Sequence, residues 1–317
     1  MNGIDRTPAW KKAIDAFPEK IRAEIDLIWD NGGILPAETV ARLGIAQSEI
    51  GALMMQLLPV ARQYAVVPVS NFPVGAVAAG LPNPGTGLGS LYLGANFEFA
   101  NAALSFTVHA EQAATNNAWL SGEAGLQSLA ISDAPCGYCR QFLYELATAP
   151  QLSILLPTKR DSLTYSSTLL TELLPRPFGP NDLGVIGGLM EPRLCSHNLA
   201  LEGGAPADPV IEAALSAAAG SYAPYPTGES NAYAGVAVQL ADGSIYAGRH
   251  AENAAYNPSL SPLQSALAFM TMARPSATNV KRCVLVEVPT PASQRSATQA
   301  ALAAYAPNVQ LEYFTAG

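Results

Sequence analysis

Val108-His109-Ala110-Glu111-Gln112 and, a short way on, Pro135-Cys136-Gly137-Tyr138-Cys139-Arg140 are the stretches from which the fold can be worked outward. One imidazole and two thiolates suit zinc in a tetrahedral site. Three protein ligands leave a fourth position for water, which marks a catalytic zinc site and not a closed structural one. Glu111 stands two residues from His109, where a carboxylate can reach that water without binding the metal. The flanking sequence sets the local fold. Ala110–Leu120, rich in alanine, predicts a helix with His109 and Glu111 at its N-terminus. Residues 126–132 (Leu-Gln-Ser-Leu-Ala-Ile-Ser) predict a short strand, and Pro135 opens a second helix. Both cysteines then sit at a helix start, where the dipole and free N–H groups stabilise thiolates.

A structural zinc knuckle would want a second Cys/Cys or Cys/His pair at knuckle spacing. The remaining candidates are Cys195, His197, His250 and Cys283. Cys195-Ser196-His197 is a poor chelating spacing in a Pro-rich stretch, and Cys283 lies in an apolar run that reads as core.

The chain has 317 residues, enough for two compact domains. Charged residues make up 13% and apolar ones 49%, so a large buried core is expected. The net charge of −8 argues against a nucleic-acid partner, whose footprint would be basic. No stretch has the length and uninterrupted apolarity of a membrane span, and Met1-Asn2-Gly3-Ile4-Asp5-Arg6 has no signal core. Four cysteines, two of them expected on zinc, make no disulfide framework, so a reducing cytoplasm is the expected location.

Residues 1–49 read as a small helical segment packed on the core, with Trp10, Ile14, Phe17, Ile21, Ile25, Ile28 and Trp29 near helical spacing. Residues 48–64 predict a strong helix, 66–79 an apolar β-prone run and 90–95 a strand. Helix, strand, strand, helix, strand, helix, strand predicts a three-layer α/β/α sandwich with a mixed sheet. The pattern then recurs. Gly94-Ala95-Asn96-Phe97-Glu98 lines up with Gly248-Arg249-His250-Ala251-Glu252, and Gly75-Ala76-Val77 with Gly235-Val236-Ala237. Allowing one lost residue puts Pro262 opposite His109 and Gln264 opposite Glu111. Pro291-Ala292-Ser293-Gln294-Arg295 stands in the Pro-Cys-x-x-Cys place. The second copy is therefore expected to keep the scaffold without the zinc ligands. The divisions expected are 1–49 (N-terminal helices), 50–157 (catalytic zinc domain), 158–206 (a Pro/Gly-rich linker) and 207–317 (degenerate copy).

With these motifs together the chain resembles the large, two-domain homodimeric cytidine deaminases of bacteria, and the His-x-Glu with Pro-Cys-x-x-Cys matches the zinc-deaminase signature. The resemblance rests also on Ser70-Asn71-Phe72-Pro73-Val74-Gly75-Ala76, Gly94-Ala95-Asn96-Phe97-Glu98-Phe99, Phe178-Gly179-Pro180-Asn181-Asp182-Leu183 and Glu252-Asn253-Ala254-Ala255-Tyr256-Asn257-Pro258. It covers nearly the whole chain. Tyr256 departs from it, since the family pattern has Phe there. The resemblance implies one Zn2+ per subunit on His109, Cys136 and Cys139, with Glu111 as the acid–base group. It implies Asn96 and Glu98 on the ribose hydroxyls, Phe72 on the pyrimidine face and the Ala110 backbone reading the base. Phe178 and Tyr256 would close the pocket, Tyr256 from the partner subunit of a homodimer with sites near the interface. The implied reaction is hydrolytic deamination of cytidine and 2′-deoxycytidine in pyrimidine salvage. A nucleotide substrate would need a phosphate pocket, and no basic cluster or Gly-rich cradle stands near the motifs. A zinc-stabilised binding protein would be expected to lack Glu111. A nucleic-acid editor is disfavoured by the acidic balance.

Overall fold

The computed structural model describes residues 7–204, 207–273 and 279–317. The segment Met1–Arg6, expected to hold no signal core, lies outside the described residues, as do 205–206 at the end of the connection.

The chain begins with two helices where the apolar spacing predicts one, α1 (Pro8–Asp15) and α2 (Glu19–Asp26). Pro18 separates them: it has no N–H to continue the first helix, and it stands as the N-cap of the second. A two-residue strand β1 (Ile34–Leu35), α3 (Ala37–Arg42) and α4 (Ile50–Ala61) follow. Next come β2 (Gly75–Gly80), β3 (Leu91–Ala95), α5 (Ala110–Leu120), β4 (Leu126–Ile131), α6 (Gly137–Tyr144), β5 (Ser153–Pro157), β6 (Tyr165–Leu169) and the single turn α7 (Leu170–Leu173). The β-prone run 66–79 is a strand only from Gly75. Upstream, Pro68 and Pro73 lack donors and Asn71 is left-handed (φ 55°), so the chain loops over the sheet's end. The sheet order is β1-β3-β2-β4-β5-β6, with β4 and β5 parallel and the other neighbours antiparallel. The N-terminal segment thus supplies one edge strand, and residues 165–169, within the Pro/Gly-rich connection, supply the other.

Alternation along β2 divides the layers. Val77 and Ala79 face α4 and the N-terminal helices; Ala76 and Ala78 face α5. The second copy repeats this with α8 (Pro209–Ala219), a small hairpin β7 (Pro226–Thr227) and β8 (Ser230–Asn231), β9 (Ala234–Leu240), β10 (Ile245–Arg249), α9 (Pro262–Ala273), β11 (Val280–Glu287), α10 (Arg295–Tyr305) and β12 (Leu311–Thr315). Its order β10-β9-β11-β12, with β11 and β12 parallel, matches β3-β2-β4-β5. Ala237 and Val284 pack against α8, while Val236 and Leu285 join α9. The α5 face and the α9 face share one core cluster, so the two sandwiches meet through these helices. Asn116 and Ser265 mark the seam: Asn116 Nδ2 donates to Ser265 O at 3.0 Å, and Ser265 Oγ donates back to Asn116 Oδ1 at 2.6 Å.

The register corrects the internal alignment. Ala76 pairs with Gly94 and Val236 with Gly248, as the sequence repeat predicts. Beyond the strands the frame shifts by one. Phe97 bridges Val108, and Ala251 bridges Leu260. Gly94 rests on Ala110 O and Ala114 N, and Gly248 on Pro262 O and Ala266 N. Ser261, not Pro262, therefore stands opposite His109, Leu263 opposite Glu111, and Gln264 opposite Gln112. The loop before α9 is two residues shorter than its counterpart, not one. In the other motif, Ile131 pairs with Ala76 and Leu285 with Val236. Further on, β5 and β12 show three extra residues in the second copy (Ala130 pairs with Leu155, Val284 with Glu312), so no ungapped frame, the Pro291 one included, sets single residues opposite Cys136 and Cys139; none of residues 286–310 is a cysteine. The loss of all three ligands stands.

Candidate active site and metal centre

His109 is the N-cap of α5, in extended conformation, and Gln112 Oε1 accepts its N–H at 3.1 Å. Cys136 is the N-cap of α6 and Cys139 lies in its first turn. The two helix starts converge. His109 Nδ1 is 3.7 Å from Cys136 Sγ, the two sulfurs are 3.6 Å apart, and all three ligand atoms lie within 4.8 Å of one another. Tetrahedral bonds of about 2.3 Å to sulfur and about 2.0 Å to nitrogen give S–S and S–N edges of about 3.8 and 3.5 Å, which the two short separations approach, so the group fits zinc. Among the described residues this is the one such group; Cys283 is buried in β11, and His197 stacks on Tyr233 with ring centroids 3.7 Å apart. Cys136 is held down to about 5, chiefly by its contact with the Cys139 thiol and also by N–H groups of the helix start, while Cys139 is pushed up by sharing that proton and by burial. Arg140 braces the turn by donating to Pro135 O and Leu173 O, both at 2.9 Å.

A cleft of about 340 Å³ opens over this group. His109, Ala110, Glu111 and Cys136 line its floor, and Phe72, Asn96 and Glu98 line its side, so these predicted residues are brought together. Glu111 is 4% exposed, and burial pushes its carboxyl up against the pull of His109. Ala110 opens α5, so its N–H has no partner within the helix. Asn96 Oδ1 accepts from Val74 N at 2.9 Å and Nδ2 donates to Phe72 O at 3.0 Å. Glu98 Oε2 accepts from Val69 and Ser70 N–H, both at 3.0 Å. Burial pushes Glu98 up, but the Ser70 hydroxyl and these two N–H groups outweigh it and hold it below the usual carboxylate range. Both side chains therefore clamp the 66–74 loop as well as facing the cleft.

Phe178 and Tyr256 do not line this cleft. They are 46% and 69% exposed, and Tyr256 has a left-handed backbone (φ 59°). One residue of α6 holds both loops: Gln141 Nε2 donates to Phe178 O (2.7 Å) and Asn253 Oδ1 (3.4 Å), and Asn253 Nδ2 donates to Gln141 O (3.0 Å). The sequence reading also missed Asp133 and Arg160. Asp133 lines the cleft; Arg160 pairs with it at 3.9 Å and lies 4.5 Å over the Phe72 ring. The position of Asp133 between a strand end and Pro135 was a usable signal; nothing local marks Arg160. In the second copy His250 replaces Asn96. Among the described residues its buried ring nitrogens have no hydrogen-bond partner, and burial pulls it down to about 4, so it is neutral.

Both copies match family models described as "cytidine and deoxycytidylate deaminase zinc-binding region", one over residues 48–154 and one over 170–300. The cytidine deaminase of Aliivibrio fischeri is 41% identical over 308 residues, 96% of each chain. That of Aeromonas salmonicida is 40% identical over 96% of this chain and 98% of its own. That of Photorhabdus laumondii is 46% identical over 83% and 82%. With both halves matched and relatives aligned almost end to end, the chain belongs to the zinc-binding cytidine and deoxycytidylate deaminase family.

Proposed function

We propose that the protein deaminates cytidine and 2′-deoxycytidine hydrolytically to uridine and 2′-deoxyuridine, releasing ammonia, as a step of pyrimidine salvage. The observation that carries this is the buried carboxylate of Glu111 on the floor of a cleft beneath which three metal-ligand atoms, from His109, Cys136 and Cys139, lie within 4.8 Å of one another. Zinc held there supplies the Lewis acidity that makes water nucleophilic at neutral pH. Glu111 takes one proton from the attacking water and delivers it to ring N3, then takes the second from the hydroxyl now on C4 and delivers it to the amine, which leaves as ammonia while the C4 carbonyl forms. A carboxyl pushed up by burial suits both directions of transfer. The Ala110 N–H meets the base oxygen. Asn96 keeps one N–H and one lone pair, and Glu98 keeps Oε1, for the sugar hydroxyls. Phe72, backed by Arg160, covers the pyrimidine face.

A nucleoside is favoured over a nucleotide. Among the described residues lining the cleft there is no lysine or arginine, Arg160 behind it is paired with Asp133, and Glu98 would repel a phosphate. The protein works as a homodimer, in which Phe178 and Tyr256, exposed and outside their own cleft, close the partner's. In this reading residues 50–157 are the catalytic unit, 207–317 the scaffold that presents those groups, and 158–206 the connection. No described helix is long and apolar enough to cross a membrane, and a zinc site built on two free thiols suits the reducing cytoplasm. The test is the ultraviolet absorbance change with cytidine, run beside Glu111→Ala with zinc counted in both. Loss of activity by orders of magnitude with zinc retained supports the roles; a zinc-loaded wild type that leaves cytidine untouched refutes the substrate.

A further inference from the structure

Gln264, which sequence comparison sets opposite Glu111, occupies in the fold the place of Gln112. The two glutamines behave as twins. Each accepts, through Oε1, the N–H of the residue before its helix: Gln112 from His109 and Gln264 from Ser261, both at 3.1 Å. Each then reaches with Nε2 into the other copy. Gln112 donates to Pro258 O at 3.4 Å, and Gln264 donates to Phe106 O at 2.8 Å. The bond from the degenerate copy is the shorter, and it ends beside the catalytic cleft. Phe106 closes the 3-10 turn Leu104–Phe106, and Leu104 and Thr107 are part of the cleft wall. The turn's backbone bonds close on itself, Phe106 N to Ala103 O at 2.9 Å and Thr107 N to Leu104 O at 3.0 Å. Leu104 is 54% exposed, so burial does not hold it in place, whereas Gln264 is buried.

We infer that Gln264 is a positioning residue for the active site of the other copy. Its amide N–H pins the Phe106 carbonyl, and the pin holds Leu104 and Thr107 against the cleft floor carrying His109 and Glu111. A glutamate at 264 would still accept from Ser261 but, ionised, could not donate to Phe106. The amide at 264 thus has a task in a copy that holds no zinc ligands at the matching positions. The pin itself is independent of the substrate; its effect on turnover rests on the deaminase reading.

The experiment compares wild type with Gln264→Glu, which keeps size and loses the donor, and Gln264→Met, which loses both bonds without adding charge. Cytidine turnover, zinc content and hydrogen exchange of amides 100–107 are measured on the full chain. The expected result is a KM raised about tenfold, the scale of one lost buried hydrogen bond, with kcat within about threefold, zinc unchanged and faster exchange over 104–107. An unchanged KM in both variants overturns the inference, even where the melting temperature falls, because Gln264 is then structural only. Unchanged loop exchange overturns it as well. If wild type does not turn over cytidine, the substrate reading fails on its own. Faster loop exchange in the variants then upholds the pin, and unchanged exchange still refutes it.

Discussion

Gly94→Ala and Gly248→Ala are the same substitution made in the two copies, and they should have different consequences. A Cβ at Gly94 would stand 2.1 Å from Ala114 N and 2.7 Å from Ala110 O; one at Gly248 would stand 2.0 Å from Ala266 N and 2.5 Å from Pro262 O. Ordinary contact needs about 3.5 Å, so either helix must retreat by about 1 Å. Overpacking of this kind costs about 1–3 kcal/mol, and both melting temperatures should fall by similar amounts. For Gly94→Ala the retreating helix is α5, whose N-cap is His109. Zinc ligands tolerate displacements of about 0.2 Å, and a 1 Å misplacement of reacting groups costs about 10²-fold in rate. Gly94→Ala should therefore lose zinc to a competing chelator and drop kcat/KM about 100-fold. Gly248→Ala moves α9, which carries no ligand and reaches the metal centre only through its packing on α5, so zinc should be lost far less readily. Melting curves, chelator competition and cytidine turnover on both variants settle the point. Equal zinc retention in the two, or equal zinc loss, would refute the argument that Gly94 sets the height of the metal centre above the sheet.

Two further outcomes are expected. Glu252 is pushed up to about 7 from an ordinary value near 4.5, by burial and by the nearby Glu145 carboxylate, against the Tyr225 N–H it accepts; the folded state therefore holds its proton more tightly than the unfolded one, stability is full below about 4.5 and is lost as pH rises through 7, and Glu252→Gln should raise stability by about 1–2 kcal/mol at pH 8 and by almost nothing at pH 4, as read from denaturation midpoints. If Tyr256 serves the partner's cleft, mixing inactive Glu111→Ala with weakened Tyr256→Ala and letting subunits exchange should recover up to about half the wild-type activity per hybrid, because one cleft then has Glu111 of its own chain and Tyr256 of the other; no recovery in hybrids shown to form would argue against a shared site.

The parts of the site legible in the sequence were those governed by local chemistry. Ala110–Leu120 was placed to the residue because His109 and Cys136 cap helices, and capping is a local event. The sugar-binding roles expected of Asn96 and Glu98 came from the family resemblance; the repeat in the second copy marks only Glu98, through Glu252, since His250 stands in place of Asn96. The frame of that copy slipped where loop length was at issue: only the bridges Phe97–Val108 and Ala251–Leu260, which are tertiary, show that two residues are missing and not one. Arg160 was illegible because its meaning lies across the cleft, on the Phe72 ring. Residues 66–74 misled for a different reason. They are apolar because they are partly covered, but Pro68 and Pro73 deny them a ladder, and Glu98 and Asn96 take up the backbone groups a neighbouring strand would have used.

Helix α5 shows what constrains the degenerate copy. Every residue from Ala110 to Trp119 is buried, so the helix has no solvent face and no amphipathic stripe. One side lies on its own sheet through Gly94; the other lies on α9. Its polar members are satisfied accordingly: Asn117 Nδ2 donates to Gly32 O and Leu93 O on the near side, and Asn116 exchanges hydrogen bonds with Ser265 on the far side. Remove α9 and Asn116 faces water while the alanines beside it lose their cover, at the helix whose first residue follows the zinc-ligand candidate.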